Sequence, residues 1–189
     1  MSQARTLDET NVRRVFKSLE FGRNSIRNKA MLALSVYSGM RACEIASLDI
    51  GNVVSKDGEI KDVISLKQSQ TKGEKAREVF LNAKAKNHLK AYAKTISGKD
   101  GLLPLFSPEG KWRRFSSNSL VICFRNFYQG IGMEGYSSHS GRRSFCSNLA
   151  NKGVNIRVIQ RLSGHRSLQS VQPYLDANED MVKQAVELL

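Results

Sequence analysis

The chain has 189 residues, of which 30 are Lys or Arg and 17 are Asp or Glu, so its formal net charge is +13. This length suffices for one well-buried domain and little more, and the 40% of residues that are hydrophobic can build its core. The excess of positive charge favours a polyanion partner, most often nucleic acid, although a merely basic soluble protein has the same composition.

Several classes of protein are disfavoured by the same composition. No run of 18 apolar residues is present, so we expect no membrane-spanning helix, and no apolar block follows the first five residues, so we expect no secretory signal. The three cysteines, Cys43, Cys123 and Cys146, are odd in number and far apart. They predict reduced, buried thiols in a cytoplasmic protein and not a disulfide frame or a zinc site.

The first quarter of the chain predicts three helices. Residues 6–9 (TLDE) have the pattern of a capping box, and apolar residues then recur at helical spacing. A second helix is predicted at about residues 26–38, because Gly39 is placed to end it. Arg41 begins a third, short helix.

Between residues 51 and 82 the pattern changes from helix to strand. Residues 63–66 (VISL) and 78–81 (EVFL) are typical of strands, and a polar loop over residues 71–75 joins them. We therefore predict a small antiparallel sheet with Lys72 at or near the tip of its hairpin.

Helical patterns return after residue 82 and continue to the end of the chain. Glycines or asparagines mark most of the boundaries, as is typical of helix caps. The predicted helices centre on residues 89–96, 120–128, 142–150 and 155–162, with a short one from Ser167 to Tyr174 and a last one from Asn178 to Leu189. The predicted fold class is therefore mainly α with a small antiparallel β-sheet (α+β).

The segment from residue 135 to residue 175 contains six Lys or Arg, no Asp or Glu, and two of the three histidines. Such a set suits attack on a phosphodiester, because guanidinium groups bind the charge that builds up on the phosphate oxygens. Arg142 is one candidate for binding the phosphate oxygens. A second must come from another element, and Arg41 is the best candidate because Glu44, one turn later, can orient it. Alternatively, Arg41 is a surface arginine paired with that carboxylate.

The same segment contains a candidate nucleophile and candidate proton carriers. Tyr174 can form a covalent bond to phosphorus and leave again, since a phenoxide is a better leaving group than an alkoxide. His139 and His165 can donate to the phosphate or move protons near neutral pH. Lys72, on its hairpin, can protonate the leaving 5′ oxygen. Each has a structural alternative: a buried tyrosine, structural histidines and a solvated lysine.

The arrangement of these residues resembles that of the tyrosine recombinases, also called the phage integrase family. Any one of the motifs is common, but five in the same order and spacing are specific. They are residues 139–142 (HSGR, like H-x-x-R), residues 162–165 (LSGH, like L-x-G-H), the nine-residue step from His165 to Tyr174, residues 39–45 (GMRACEI) around the first arginine, and residues 71–73 with 77–81, which resemble the hairpin lysine and its following strand.

The resemblance implies a role for each of the six candidates and a reaction. Tyr174 is the nucleophile, and the activating residues are Arg41, Lys72, His139, Arg142 and His165. The tyrosine attacks a DNA phosphate to give a 3′-phosphotyrosyl link and a free 5′ hydroxyl, and rejoining reverses this step. The resemblance implies no cofactor and no metal, since the phosphoester bond energy is retained.

Two features differ from the family pattern. Gly141 lies where a bulky residue is commoner. A glycine there is expected to destabilise the start of the helix by about 1 kcal/mol relative to alanine. The separate N-terminal helical domain that binds DNA in most members has no counterpart, so residues 1–189 are expected to form a single catalytic domain. The chain is either a fragment of a longer protein or a short member similar in size to the fimbrial-switch invertases.

The resemblance also implies partners. We expect double-stranded DNA and a homo-oligomer on DNA, a tetrameric synapse in which the C-terminal helix is exchanged between protomers, in a cytoplasmic, nucleoid-associated protein without a membrane partner. Alternatively, the C-terminal helix folds back on its own core. The alternative functions are a type IB topoisomerase-like nicking and closing enzyme and a non-catalytic DNA-binding regulator on the same fold. The DNA site, and the choice among integration, excision, inversion and resolution, stay open.

Overall fold

The computed structural model describes residues 4–71, 75–108, 112–174 and 186–187. Within these residues the fold is mainly helical with one two-stranded antiparallel sheet, which confirms the predicted fold class. In chain order the elements are α1 (Glu9–Ser18), α2 (Ser25–Ser38), α3 (Ala42–Ala46), α4 (Ile50–Val53), β1 (Val63–Leu66), β2 (Arg77–Phe80), α5 (Ala83–Thr95), α6 (Ser117–Gln129), α7 (Ser140–Asn151) and α8 (Ile156–Ser163).

Helix α2 forms the centre of the molecule. Its middle, Ala30–Leu34, is fully buried, and the helix packs against α5 on one side and α7 on the other. A helix that is apolar around most of its circumference is stable only when neighbours cover it, which explains its central place. Because α2 is held so firmly, its end at Gly39 is a fixed point for the residues that follow.

A second, smaller hydrophobic cluster supports the end of the described chain. It joins α7, α8 and the turn after α8 through Cys146, Ala150, Ile159 and Val171, and Tyr174 packs against it. This cluster connects the tyrosine to the two helices that carry the basic segment.

The sheet lies where the sequence predicts it. β1 and β2 are antiparallel, with Val63 opposite Phe80 and Leu66 opposite Arg77, so the second strand begins one residue earlier than predicted. The sequence did not predict α4 or the 3₁₀ turn at Gln68–Gln70, because elements of three or four residues are too short to show a hydrophobic period.

Two local predictions were wrong in detail. The cap of α1 is Asp8, whose carboxylate accepts a hydrogen bond from the backbone of Asn11 at 2.6 Å, and not the predicted residue 6. The predicted helix from Ser167 to Tyr174 is a pair of 3₁₀ turns. Pro173 explains this difference, since proline lacks the donor that an α-helix requires at that position. The predicted helix over residues 178–189 lies outside the described residues, apart from positions 186 and 187.

Gly141 has a packing role that its expected cost did not include. A Cβ atom built on it would press against the Ser35 hydroxyl and lie 3.1 Å from the Ser35 Cβ atom and from a methyl group of Val36. Glycine therefore permits the close approach of α7 to α2 that places the start of α7 beside the end of α2.

The cysteines are all free, and among them only Cys146 is buried, so the prediction of three buried thiols was wrong for Cys43 and Cys123. Within the described part of the chain, each helix is too short or too polar to cross a membrane.

Candidate active site

Two glycine turns bring the predicted arginines together. Gly39 has a φ of +64° and ends α2, and Arg41 follows as the N-terminal cap of α3. Arg142, in the first turn of α7, donates from Nη1 to the carbonyl oxygen of Gly39 at 2.7 Å. Arg41 donates from Nη2 to the carbonyl oxygen of Gly164, which ends α8, at 3.1 Å. The site thus joins segments that lie 103 and 123 positions apart in the chain.

A buried carboxylate orients Arg41. Glu44 is fully buried, its Oε1 lies 2.9 Å from Nη1 of Arg41, and its Oε2 accepts from the backbone nitrogen of Arg41 at 2.8 Å. Burial raises the pKa of this carboxyl, but the hydrogen bond and charge of Arg77, together with Arg41, outweigh burial and hold the pKa below its ordinary value. The side chain of Arg41 is only 18% exposed, so this pair lies below the surface.

Arg77 is a site residue to which the sequence reasoning assigned no role. Its Nε and Nη2 donate to the two carboxylate oxygens of Glu44 at 3.1 and 2.8 Å, and its Nη1 donates to the carbonyl oxygen of Leu162 at 2.9 Å. Its position directly before a predicted strand, close to the hairpin lysine, was the only available signal, because its partners are distant in sequence.

Arg142 is almost completely buried, at 3% exposure. Burial, followed by the nearby charge of Arg41, lowers its pKa to about 10, so the guanidinium stays charged at neutral pH. Among the described residues its Nη2 has no hydrogen-bond partner. A buried charged donor without an acceptor is costly, and the oxygen of an anion would satisfy it.

His165 contacts a hydroxyl group through one ring nitrogen. Its Nδ1 lies 2.7 Å from Oγ of Ser163, and that hydroxyl also donates to the carbonyl oxygen of Ile159 at 2.6 Å. Burial, then the charge of Arg142, lowers the pKa of His165 to about 4, which keeps the ring uncharged near pH 7.

Tyr174 is half-buried beside that imidazole. The centroids of the two rings are 5.8 Å apart, and the guanidinium carbon of Arg143 lies 5.2 Å from the centroid of the tyrosine ring. Burial and then Cys146 raise the pKa of the phenol, and the nearby arginines only partly oppose this. The phenol is therefore protonated and needs a base before it can attack. The contact of Arg143 with Tyr174 was not predicted.

The structure gives fewer contacts for the other two predicted site residues, His139 and Lys72. His139 is exposed and forms the N-terminal cap of α7, three residues before Arg142. Lys72 lies outside the described residues, and Thr71 before it donates to the carbonyl oxygen of Lys75 after it at 2.8 Å. Within the described ranges there is no cluster of three or more His, Cys, Asp or Glu that suits a metal ion.

Four of the six predicted site residues thus lie around one basic site. Comparison with known proteins agrees with the family that the sequence predicts. The chain belongs to the phage integrase family, whose family model matches residues 5–181. It is 34% identical over 156 residues to tyrosine recombinase XerC of Thermodesulfovibrio yellowstonii. The aligned region covers 78% of this chain and 49% of that protein. The chain spans about half the length of the curated relatives that it matches.

Solved structures show the same fold. The chain is similar to the crystal structure of XerA recombinase, with a TM-score of 0.76 and 21% identity over 99% of this chain and 66% of that one. It is also similar to the Tn1549 transposon integrase in complex with transposon right end DNA, with a TM-score of 0.78 and 16% identity over 100% of this chain and 67% of that one. The fold is that of a tyrosine recombinase catalytic domain.

Proposed function

We propose that the chain is a site-specific DNA recombinase that cleaves and rejoins DNA strands through a 3′-phosphotyrosyl intermediate. One observation carries this proposal: the buried guanidinium of Arg142 lies near the Arg41–Glu44 pair, and its Nη2 has no hydrogen-bond partner among the residues that the structure describes. The geometry of a phosphate suits paired guanidinium groups. Membership of the phage integrase family supports the same reaction.

In this mechanism, Arg41 and Arg142 bind the non-bridging oxygens of the scissile phosphate. Both are fixed by hydrogen bonds to backbone carbonyls. Because the charge on those oxygens grows toward the transition state, fixed donors stabilise the transition state more than the substrate.

Tyr174 attacks the phosphorus and displaces the 5′ oxygen, so one phosphoester bond forms while another breaks. The phenol proton passes to a neutral base. The imidazole of His165 supports that role, because its ring centroid lies 5.8 Å from that of Tyr174 and its low pKa keeps it uncharged near pH 7. Lys72 protonates the leaving 5′ oxygen, and His139, three residues before Arg142, donates to the phosphate. Rejoining runs these steps in reverse.

The partners belong to the same proposal. We propose that residues 1–189 form a single catalytic domain, bind double-stranded DNA and act as a tetramer on it, with the C-terminal segment exchanged between protomers. The complex of the Tn1549 integrase with transposon end DNA supports the DNA partner, and the apolar and acidic character of residues 176–189 supports the exchange. Location in the cytoplasm, with the nucleoid, stays a prediction.

The test is a covalent adduct on nicked DNA. Duplexes are built from inverted repeats in the DNA that flanks the gene, and the nick lets the leaving strand diffuse away. We expect the unaltered protein to form an adduct that survives denaturing electrophoresis, while Tyr174→Phe binds the same duplex and forms none. Tyr37→Phe is the matched control, because the ring of Tyr37 stacks on Phe16 and His88, neither of which is a predicted site residue.

Three outcomes separate the candidates. An adduct with Tyr174→Phe would contradict the assignment of the nucleophile. Binding without any adduct by the unaltered protein would favour the DNA-binding regulator. Relaxation of supercoiled DNA without strand exchange between two sites would favour the topoisomerase-like enzyme.

A further inference from the structure

We propose that Arg77 is a positioning residue of this active site, which holds the Arg41–Glu44 pair and the turn before His165 in one fixed arrangement. The inference rests on the proposed function, because it concerns the geometry of the same reaction. Arg77 itself is not expected to touch the DNA phosphate.

The first step of the argument is the contact of Arg77 with Glu44. Two of its nitrogens bind both oxygens of that carboxylate, at 3.1 and 2.8 Å, and the side chain of Arg77 is only 11% exposed. Such a two-point pair fixes the plane of the carboxylate. Since the same carboxylate also binds the side chain and the backbone of Arg41, its plane sets where the guanidinium of Arg41 points.

The second step is the set of hydrogen bonds that Arg77 and Arg41 donate to the end of α8. The last carbonyl oxygens of a helix have no partner within the helix. Arg77 donates to the carbonyl oxygen of Leu162, and Arg41 donates to that of Gly164, two residues later. Two guanidinium groups that share one carboxylate therefore hold the turn that leads directly into His165.

The third step is the shape of that turn. Gly164 has a φ of +66°, and a Cβ atom built on it would lie 2.6 Å from Cδ of Arg77. The side chain of Arg77 thus occupies the space that a larger residue at position 164 would need. This close contact therefore depends on both residues, the glycine at position 164 and the arginine at position 77.

Together these contacts connect three elements that carry site residues. Arg77 lies in β2, Glu44 in α3 and Leu162 in α8. A lysine at position 77 would keep the positive charge, but a single ammonium group cannot bind both carboxylate oxygens and a carbonyl on another element in this planar arrangement. Replacement by lysine therefore separates the role of geometry from that of charge.

The experiment compares Arg77→Lys with Arg114→Lys in the full chain. Arg114 is a matched control, because it also pairs with a carboxylate, that of Asp49, and donates to two backbone carbonyls, those of Ala46 and Leu48. On the nicked duplex at saturating protein, we expect Arg77→Lys to slow single-turnover cleavage by about 10²-fold, as expected for small displacements of catalytic groups. DNA affinity should change little, and Arg114→Lys should cleave at the unaltered rate.

A second measurement does not depend on activity. The pKa of His165 is read from the ring resonances by NMR in the unaltered protein and in Arg77→Lys. If Arg77 acted only through its charge, lysine would leave this pKa near its low value. If Arg77 holds the turn, the ring becomes more hydrated in the variant and the pKa of His165 rises.

The outcomes separate this inference from the proposed function. An unaltered protein that forms no adduct contradicts the proposed function, and the titration of His165 then decides the positioning role alone. Unchanged cleavage together with an unchanged titration in Arg77→Lys overturns the inference. If Arg77→Lys does not fold, Arg77→Gln takes its place, with the same slow cleavage expected and unchanged cleavage again overturning it.

Discussion

Individual residues give the site an excess of positive charge below the surface. Arg41 and Arg77 pair with the buried carboxylate of Glu44, Arg142 lies nearby, and all three guanidinium groups are largely shielded from water. Buried charges are costly unless they are balanced. One carboxylate balances only part of this charge, which leaves the arrangement suited to a bound anion.

A pH dependence follows from His165. Its pKa is about 4 in the folded chain, below the ordinary value of 6.5, because burial and then Arg142 disfavour the charged ring. The unfolded chain therefore takes up this proton first as the pH falls. We expect this part of the stability to be complete above pH 6.5 and to be lost as the pH falls toward about 4.

Urea unfolding at a series of pH values measures this effect. His165→Gln should show a smaller loss of unfolding free energy between pH 6.5 and pH 4 than the unaltered chain. A ring of His165 that titrates at the ordinary value in the folded protein would contradict this expectation.

Among the elements, the contact of α7 with α2 decides where the arginines meet. Gly141 allows this contact, and in most exposed helices replacing glycine by alanine stabilises by up to about 1 kcal/mol. Here the added methyl group meets Ser35 and Val36 at short range. We expect Gly141→Ala to lower the free energy of unfolding by about 1–3 kcal/mol, the typical cost of overpacking.

Asn148→Ala provides the comparison for this prediction. Asn148 lies in the same helix on its exposed side, so alanine there should be neutral or stabilise by a few tenths of a kcal/mol. Chemical denaturation measures both variants. A Gly141→Ala chain more stable than the unaltered one would show that α7 does not need this close approach.

The whole molecule combines its +13 charge with a basic segment next to the site. Binding of duplex DNA should therefore weaken steeply with salt, because each phosphate contact releases condensed counterions. We expect Arg166→Gln, directly after His165, to make the slope of log K against log salt shallower by about 0.9, the value for one contact.

Lys56→Gln is the control for this measurement, since Lys56 is an exposed lysine in the turn before β1. Its removal should leave the slope unchanged. Equal effects of the two substitutions would mean that only total charge matters, and a flat slope for the unaltered protein would place the DNA on another surface.

Local signals in the sequence were sufficient for most of the fold. Helical spacing and terminal glycines located α2, α5, α6, α7 and α8, and the two strands were found from their apolar runs. The chemistry of the side chains and their resemblance to the family's motifs also singled out Arg41, Arg142, His165 and Tyr174, because motif order is a property of the linear chain. The family follows from the same order and is shown by the match over residues 5–181.

Only the tertiary structure revealed how these residues depend on one another. Arg77 contacts Glu44 and Leu162, and Arg143 contacts Tyr174. These partners are far apart in the sequence, so no periodic pattern predicts their contacts. The low pKa of His165 likewise arises from burial and from charges on other elements. A sequence determines which chemical groups are available and which local elements they favour. Packing determines which groups are buried, which are paired, and which donor of Arg142 has no partner in the described part of the chain.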